Sequence, residues 1–322
     1  MAVVGLKSYI LDNNLKSGLL LAGFPVLLVL VAYALQLLLM GLGYLPSSGG
    51  VESDLALSFR MLAASAPLAL LVAGLWFLIA WRAQHAIIAA ATGARRVARA
   101  EEPQLYNLLE NLAISRGLPT PDIRIVETEA LNAYASGTDP RRSCVTVTRG
   151  LLQTLSEEEL EAVLGHELTH ILNRDTRLMV VCAVFAGIIT FVAEMVWRTM
   201  RYADLRSRRR ENRKGGGFLV VIALAMLAAG YLLAVVLRFA VSRKREFLAD
   251  AGSVELTKNP DAMIRALQKI EGRAELSAPD QVRPLFFENR LSGLGALTAT
   301  HPPIQARIAA LVKYAGGVET TS

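Results

Sequence analysis

Residues 155–175 read LSEEELEAVLGHELTHILNRD, and the HELTH inside this stretch decides how the rest of the chain is interpreted. Two histidines four positions apart on a helix lie on the same face, so His166 and His170 can bind one metal ion between them. Ser156 is placed to cap the helix, with Glu159 as its capping-box partner, and the apolar positions keep helical spacing. The alternative is a chance HExxH on a solvated helix, and the helical context favours the metal site.

The chain has 322 residues, of which 53% are hydrophobic, and its mean hydropathy is +0.39. This surplus lies in four blocks, Leu19–Leu45, Met61–Trp81, Leu178–Trp197 and Phe218–Val241. The first two carry no charged residue and are long enough to cross a bilayer core of about 30 Å. The later two carry one charge each near their C-terminal ends. We therefore predict an integral membrane protein whose first block is a retained anchor rather than a signal peptide.

Basic residues flank the first pair of blocks at Lys7 and Lys16 and again from Arg82 onward. The positive-inside rule therefore places the N-terminus and the chain from about residue 82 in the cytoplasm. Eight basic residues in the segment 198–214 separate the later blocks, and they lie outside if both blocks span. Whether the second hairpin crosses completely is left open at this point.

The basic segment 198–214 is interpreted as a surface for anionic lipid headgroups. It joins two apolar blocks and has no interleaved aromatic residues, so we expect no nucleic-acid binding. The two cysteines, Cys144 and Cys182, lack metal-ligand spacing, and their expected role is packing.

Outside the apolar blocks the pattern is that of a mainly α fold with a small β-sheet. A helix begins near Pro103 and stops at Gly117, and DIRIVET (122–128) and CVTVTRG (144–150) alternate as strands. Further helices are predicted within 259–275 and 302–314. The expected organisation is a transmembrane hairpin and linker at 1–99, two parts of one domain outside the membrane at 100–177 and 242–322, and a second hydrophobic hairpin at 178–241.

A catalytic zinc site needs three protein ligands and one open position, so HELTH requires a third ligand. The segment SRKREFLADAG (242–252) offers Glu246, with Asp250 one helical turn later to orient a ligand histidine. Two consecutive apolar helices that go out and return bring Glu246 back beside HELTH. The alternative is that both acids only balance the three basic residues at 243–245.

Glu167 adjoins His166 and therefore borders the predicted ion. A carboxylate in this position can accept a proton from the attacking water and pass it to a leaving amine. The implied reaction is peptide hydrolysis with Zn²⁺ as the cofactor.

The chain resembles the HtpX-type membrane zinc metalloproteases, which belong with the CAAX prenyl proteases among HExxH enzymes that use a later glutamate. The resemblance is carried in order by RGLPTPDIRIVETEALNAYASG (116–137), VTRGLLQTLSEEELEAVLGHELTHILNRDT (147–176), SRKREFLADAGSVELT (242–257) and THPPIQARIAAL (300–311). It implies His166, His170 and Glu246 as zinc ligands, with Glu167 as general base. It also implies Asp250 as a partner outside the metal's own ligands.

The resemblance further implies a zincin-like protease domain on the cytoplasmic side of a bacterial inner membrane, degrading misfolded membrane proteins. NAYASG (132–137) is similar to the family's cleft segment, so Asn132, Ala133, Tyr134 and Ala135 are candidate substrate-binding residues at an exposed strand edge. Tyr134 stands where the family often has Phe. The alternative for this segment is an ordinary core strand.

His301 and Arg307 are two further candidates. His301 is able to donate a hydrogen bond to a transition-state oxyanion, to occupy the open zinc position, or only to cap a helix. Arg307 is expected either to pair with an acid such as Asp250 or to be exposed.

The leading hypothesis is a quality-control endopeptidase whose partners are the lipid bilayer and unfolded membrane proteins, with a homo-oligomer as one possible state. Three other functions compete with it. A CAAX-type processing protease would need a larger transmembrane chamber. A membrane scaffold with structural zinc would not need an intact base. A transporter would need paired charges in its spans, which the apolar blocks lack.

Overall fold

The computed structural model describes residues 6–181, 191–192, 194–198, 200–201, 216–239, 244–276, 286 and 302–318. The predictions for Cys182 and His301, and most of those for the third apolar block and the basic segment, lie outside these residues. The chain divides into two compact units. The first, here called the α+β unit, comprises Met1–Ser17, Arg82–Val181 and Phe239–Ser322, and the second, the apolar unit, comprises Gly18–Trp81 and Cys182–Arg238.

The described part of the chain is mainly helical with one small sheet, as predicted. In chain order the helices are α1 Leu6–Gly41, α2 Val51–Thr92, α3 Pro103–Ser115, α4 Arg149–Thr154, α5 Glu157–Leu172, α6 Gly216–Phe239, α7 Lys244–Thr257, α8 Pro260–Ile270 and α9 Ile304–Ala315. The strands are β1 Arg95–Arg96, β2 Asp122–Val126, β3 Ala133–Ser136 and β4 Cys144–Thr148. Residues 175–181 are also helical.

Among the described residues, one helical segment, Val51–Ile79 in α2, is long and apolar enough to cross a membrane. Pro25–Gly41 in α1 and Gly216–Leu232 in α6 are shorter apolar stretches. Helix α1 begins before its apolar block and ends at Gly41 inside it, whereas α2 extends beyond its block at both ends. Four complete spans therefore stay a prediction.

Polar side chains between α1 and α2 of the apolar unit are hydrogen-bonded to one another. The Gln36 Nε2 donates to Ser65 Oγ at 2.5 Å, and Ser58 Oγ donates to Gln36 Oε1 at 3.1 Å. An apolar environment makes an unsatisfied amide costly, so this pairing explains how glutamine is accommodated in an otherwise apolar helix.

The sheet has the strand order β1-β2-β4-β3. The central strands β2 and β4 are parallel, with Ile123 opposite Val145, while β1 and β3 pair antiparallel on either side. The β3–β4 connection contains the short 3₁₀ helix Pro140–Arg142. This order places β3 at one edge of the sheet.

The two faces of the sheet differ in chemistry because alternate residues point to opposite sides. Ile125, Val147 and Ala135 join the main core with α3, α5 and α8. On the other face the Tyr134 hydroxyl lies 2.7 Å from the Thr92 Oγ1 near the end of α2. Cys144 is also buried, and burial raises the pKa of its thiol to about 11, which agrees with the packing role expected of it.

Helix α5 begins as its sequence predicts. Ser156 Oγ accepts from the Glu159 N–H, and the Glu159 carboxylate accepts from the Ser156 N–H at 2.9 Å, which completes the capping box. Helix α3 likewise starts at Pro103, and the chain leaves it through Gly117, whose φ of 64° favours glycine. These local signals set α5 in the core of the α+β unit.

Candidate metal centre

Helix α5 carries His166, Glu167 and His170 on its buried side. Their exposed fractions are 0%, 1% and 4%. Three such polar side chains are costly to bury unless each meets a partner. Each of these side chains therefore needs partner groups from neighbouring elements.

Glu246 on α7 lies next to the histidine pair. The Glu246 Oε2 lies 3.6 Å from the His166 Nε2, its Oε1 lies 3.8 Å from the His170 Nε2, and the two Nε2 atoms are 3.0 Å apart. Tetrahedral zinc with bonds of about 2.0–2.2 Å separates its ligand atoms by about 3.4 Å. The three side chains therefore have the spacing of a ligand set for one ion.

Small residues allow α7 to approach α5 closely enough for this arrangement. A Cβ added at Gly252 would lie 2.6 Å from the Thr169 Oγ1, and one added at Gly165 would lie 3.1 Å from the Ser253 Oγ. Ser253 also donates a hydrogen bond to the Ala162 carbonyl at 2.5 Å. The glycines and this hydrogen bond fix the distance between the helices, and Glu246 reaches the histidines as a result.

His166 is oriented by Asp250, one turn after Glu246. The Asp250 Oδ1 lies 2.9 Å from the His166 Nδ1 and accepts from the Arg307 guanidinium at 2.6 Å. Arg307 Nε also donates to the Asp250 Oδ2 at 2.9 Å, and both residues are buried. Burial would raise the pKa of Asp250, but Arg307 and His166 hold it below its ordinary value. The structure thus places Arg307 against Asp250 rather than in solvent.

Two charged residues in the site were not identified from the sequence. The Asp175 Oδ2 lies 2.9 Å from the His170 Nδ1, and the Arg245 Nε donates to the Glu246 Oε1 at 2.9 Å. Both are buried, with exposed fractions of 1% for Asp175 and 2% for Arg245. The sequence predicts Arg245 only as one of three basic residues, 243–245, that Glu246 and Asp250 could balance. The available sequence signal for Asp175 was the polar run NRD (173–175), which follows the HELTH helix.

The donor set fits a divalent cation on two further grounds. Carboxylates at both Nδ1 atoms favour protons there, so both Nε2 atoms present lone pairs to each other at 3.0 Å. An ion between them removes this repulsion. In addition, the Glu246 carboxylate lies within 4 Å of both Nε2 atoms in a buried site, and a bound cation would balance its negative charge there.

Glu167 lies beside this ligand set in the position of a proton acceptor. Among the described residues the Ala135 N–H approaches its carboxylate, but neither oxygen has a partner with full hydrogen-bonding geometry. Burial and the neighbouring Glu246 raise the pKa of Glu167 to about 7, with His170 and the Ala135 N–H acting in the opposite direction. A carboxyl group with a pKa near neutrality can both accept and release a proton under physiological conditions.

The candidate substrate segment is an edge strand, but it is not exposed. Ala133, Tyr134 and Ala135 are each 1% exposed, and Asn132 is fully buried. The Asn132 amide donates to the Ala274 carbonyl at 2.7 Å, and the Tyr134 ring packs on Phe286 at 5.5 Å between centroids. The expectation of an exposed edge is therefore wrong for this structure, because packing covers the strand. His301 lies outside the described residues.

The arrangement defines a class of protein: an HExxH helix, a carboxylate from a second helix and an adjacent buried glutamate together characterise metal-dependent hydrolases. The comparison with protein families gives the same class, since the model for Peptidase family M48 matches residues 99–315. The chain belongs to Peptidase family M48, which consists of metal-dependent proteases.

Curated relatives extend this similarity to the whole chain. The chain is 40% identical over 323 residues to a Protease HtpX homolog of Bacteroides fragilis, with 98% of this chain and 100% of that protein covered. A Protease HtpX homolog of Trichormus variabilis is 41% identical over 241 residues, covering 73% of this chain and 82% of that protein. The resemblance to HtpX-type proteases is therefore confirmed. A crystal structure of S. mikatae Ste24p shows 16% identity and a TM-score of 0.44, covering 94% of this chain and 66% of that chain.

Proposed function

We propose that this protein is a zinc-dependent membrane endopeptidase that hydrolyses peptide bonds of misfolded or damaged membrane proteins. The observation that carries the proposal is the buried cluster of His166, His170 and Glu246, whose ligand atoms lie within 4.8 Å of one another. Membership of a protease family and a fourth polar residue, Glu167, beside the cluster support hydrolysis rather than a structural metal site.

In this proposal the two histidines and Glu246 hold Zn²⁺, which when bound polarises a carbonyl and lowers the pKa of water to about 7. Glu167 accepts the proton of the attacking water and transfers it to the leaving amine, since its buried carboxylate interacts electrostatically with His170 and Glu246. Asp250 keeps the proton of His166 on Nδ1, and Arg307 keeps Asp250 charged. The assignment of His301 as an oxyanion donor rests on the sequence alone, because this residue lies outside the described part of the chain.

The membrane assignment is part of the proposal. Segments 1–99 and 178–241 form the membrane portion and segments 100–177 and 242–322 form the protease domain, which faces the cytoplasm of a bacterial cell. The apolar segment Val51–Ile79 and the sequence pattern of four apolar blocks support this division. A substrate located in the same membrane would then reach the site without crossing the cytoplasm.

Strand β3 is the proposed substrate strand, although its side chains are buried. It is the edge of the sheet nearest α5, and its Ala135 N–H acts on the Glu167 carboxyl. An extended peptide that pairs with this edge would lie beside the catalytic residues. The proposal requires that the contacts of β3 and Asn132 with Ala274 and Phe286 open when a substrate binds.

The experiment that tests the proposal compares E167Q with E161Q in full-length protein reconstituted in lipid. Both changes remove one carboxylate from α5, but Glu161 lies outside the metal cluster. We expect E167Q to lose cleavage of unfolded casein by at least about 10²-fold, as expected for removal of a general base, while both variants keep stoichiometric zinc. Full activity of E167Q would overturn the mechanism. Cleavage restricted to prenylated CAAX peptides would instead favour a processing protease.

A further inference from the structure

Asp175 and the turn before it form a feature that the zinc ligands alone do not explain. In an uninterrupted helix, residues five positions apart lie about 140° apart around the axis, so Asp175 would not reach His170. Instead α5 ends at Leu172, and the chain turns through Asn173 and Arg174. Asp175 returns to the His170 Nδ1 at 2.9 Å and begins the next helical stretch, 175–181.

The turn adopts an unfavourable backbone conformation. Arg174 has a φ of 59°, in the left-handed region that glycine adopts without strain and that carries a steric cost for other residues. Its side chain is exposed, so no burial offsets this cost. The Arg174 N–H does donate to the Ile171 carbonyl at 3.1 Å, which stabilises the turn. A strained turn that delivers one buried carboxylate to one histidine points to a requirement for that contact.

We propose that Asp175 is a positioning residue that holds His170 in its metal-binding form and thereby sets the affinity of the site for zinc. The inference rests on the zinc site proposed above. By accepting a hydrogen bond from Nδ1–H, Asp175 keeps the proton on Nδ1 and leaves the Nε2 lone pair of His170 directed at His166 and Glu246. Asp250, in the middle of α7, does the same for His166, so each histidine has its own carboxylate from a different helical stretch.

Zinc affinity of the full-length protein tests this role independently of catalysis. All variants carry E167Q, which prevents self-digestion, and the probe is Zn²⁺ alone in competition with a chromogenic chelator. Loss of an outer partner of a ligand histidine weakens metal binding by about 10–100-fold. We expect that range for D175A and a smaller loss for D175N, whose amide oxygen can still accept the hydrogen bond from Nδ1–H but carries no charge.

D54N is the matched control. Asp54 is also buried, at 3% exposed, and accepts hydrogen bonds from Ser47 and Ser48 in the apolar unit. Its replacement removes the same charge and is expected to leave zinc affinity unchanged. R174G is a second control that keeps Asp175 and relieves the left-handed strain, and we expect it to retain full zinc affinity.

The spectrum of bound Co²⁺ provides a reading that a general loss of stability would not alter. In D175A we expect a changed d–d band, because a disoriented His170 changes the ligand set, whereas D54N and R174G should give the parent band. Parent zinc affinity in D175A, or in a folded D175N if D175A does not fold, would overturn the role of Asp175 and leave the peptidase proposal intact. If the protein that retains Glu167 binds zinc tightly but cleaves no protein, the peptidase proposal fails and the role of Asp175 in zinc binding is unaffected.

Discussion

Arg307 and Asp250 form an ion pair that is shielded from water, with two hydrogen bonds of 2.6 and 2.9 Å. Such a pair adds little stability relative to apolar residues of similar size, because both charges lose their hydration. Removing one partner has a much larger effect, since the other charge stays buried. The pair is therefore better understood as fixing the orientation of His166 than as a source of stability.

We predict that R307A lowers the free energy of unfolding by about 3–5 kcal/mol, because it leaves Asp250 buried without its cation. R96A is the control: its partner Asp122 lies at 2.5 Å, but the two side chains are 70% and 51% exposed. The loss for such a surface pair is below about 1 kcal/mol. Denaturant unfolding of the zinc-free proteins measures both changes. Equal losses in the two variants would show that Arg307 has no special role.

At the scale of the helix, the start of α5 depends on a buried carboxylate. Glu159 has a side chain that is 3% exposed, accepts from the Ser156 N–H and pairs with the Lys269 Nζ at 2.6 Å. Burial would raise the pKa of Glu159, but Lys269 and the Ser156 N–H hold it below its ordinary value. The folded state therefore favours the charged form.

The sign of this shift gives a pH prediction. A carboxyl whose pKa is lowered by folding stabilises the fold above its unfolded pKa of about 4.3, and this stabilisation is lost as the pH falls further. We expect E159Q to unfold more easily than the parent at pH 7, and the difference to shrink below about pH 4. The exposed Glu158 on the same turn gives the control, E158Q. A difference that grows toward acidic pH would contradict the assignment.

The crossing of α5 and α7 is the second feature at this scale. Gly252 faces Thr169 so closely that a methyl group cannot be added without movement. We predict that G252A separates the helices by a few tenths of an ångström and weakens zinc binding, since Glu246 is carried on α7. The added T169A change should restore binding by making room.

Two comparisons sharpen this test. A methyl group added at Gly74 in α2 would have nothing within 4 Å of it, so G74A is expected to leave zinc binding unchanged. T169A alone removes the Thr169 hydrogen bond to the Gly165 carbonyl, and its effect must be subtracted from that of the double variant. Failure of T169A to rescue G252A would mean that the crossing does not control the ligand spacing.

For the whole molecule, the charge at the centre links metal binding to stability. Buried carboxylates, among them Glu246 and Asp175, surround the two histidines in the described part of the chain, and a bound cation would balance part of their charge. We predict that a chelator lowers the melting temperature of the reconstituted protein and that zinc restores it. At a thousandfold excess over the dissociation constant, the stabilisation is about 4 kcal/mol. H166A should show no such zinc response, and an equal response in H166A would place the stabilising metal elsewhere.

Local sequence signals were sufficient for the helices and for the motif. The capping box at Ser156, the start of α3 at Pro103 and the strands β2 and β4 all agree with their predictions, because each depends on neighbouring residues or on simple periodicity. The four-residue spacing of the histidines also determines that they share a face. Family membership followed from the order of several such motifs.

Contacts between distant residues were decided only by the tertiary structure. Asp175 reaches His170 because of one left-handed residue, Arg245 is buried beside Glu246, and β3 is covered rather than open. None of these follows from composition or periodicity, since each depends on how closely α5, α7 and the sheet pack. The sequence by itself determined which residues share a helix face, and tertiary packing decided which charges lie against each ligand, because burial and distance arise only when separate elements meet.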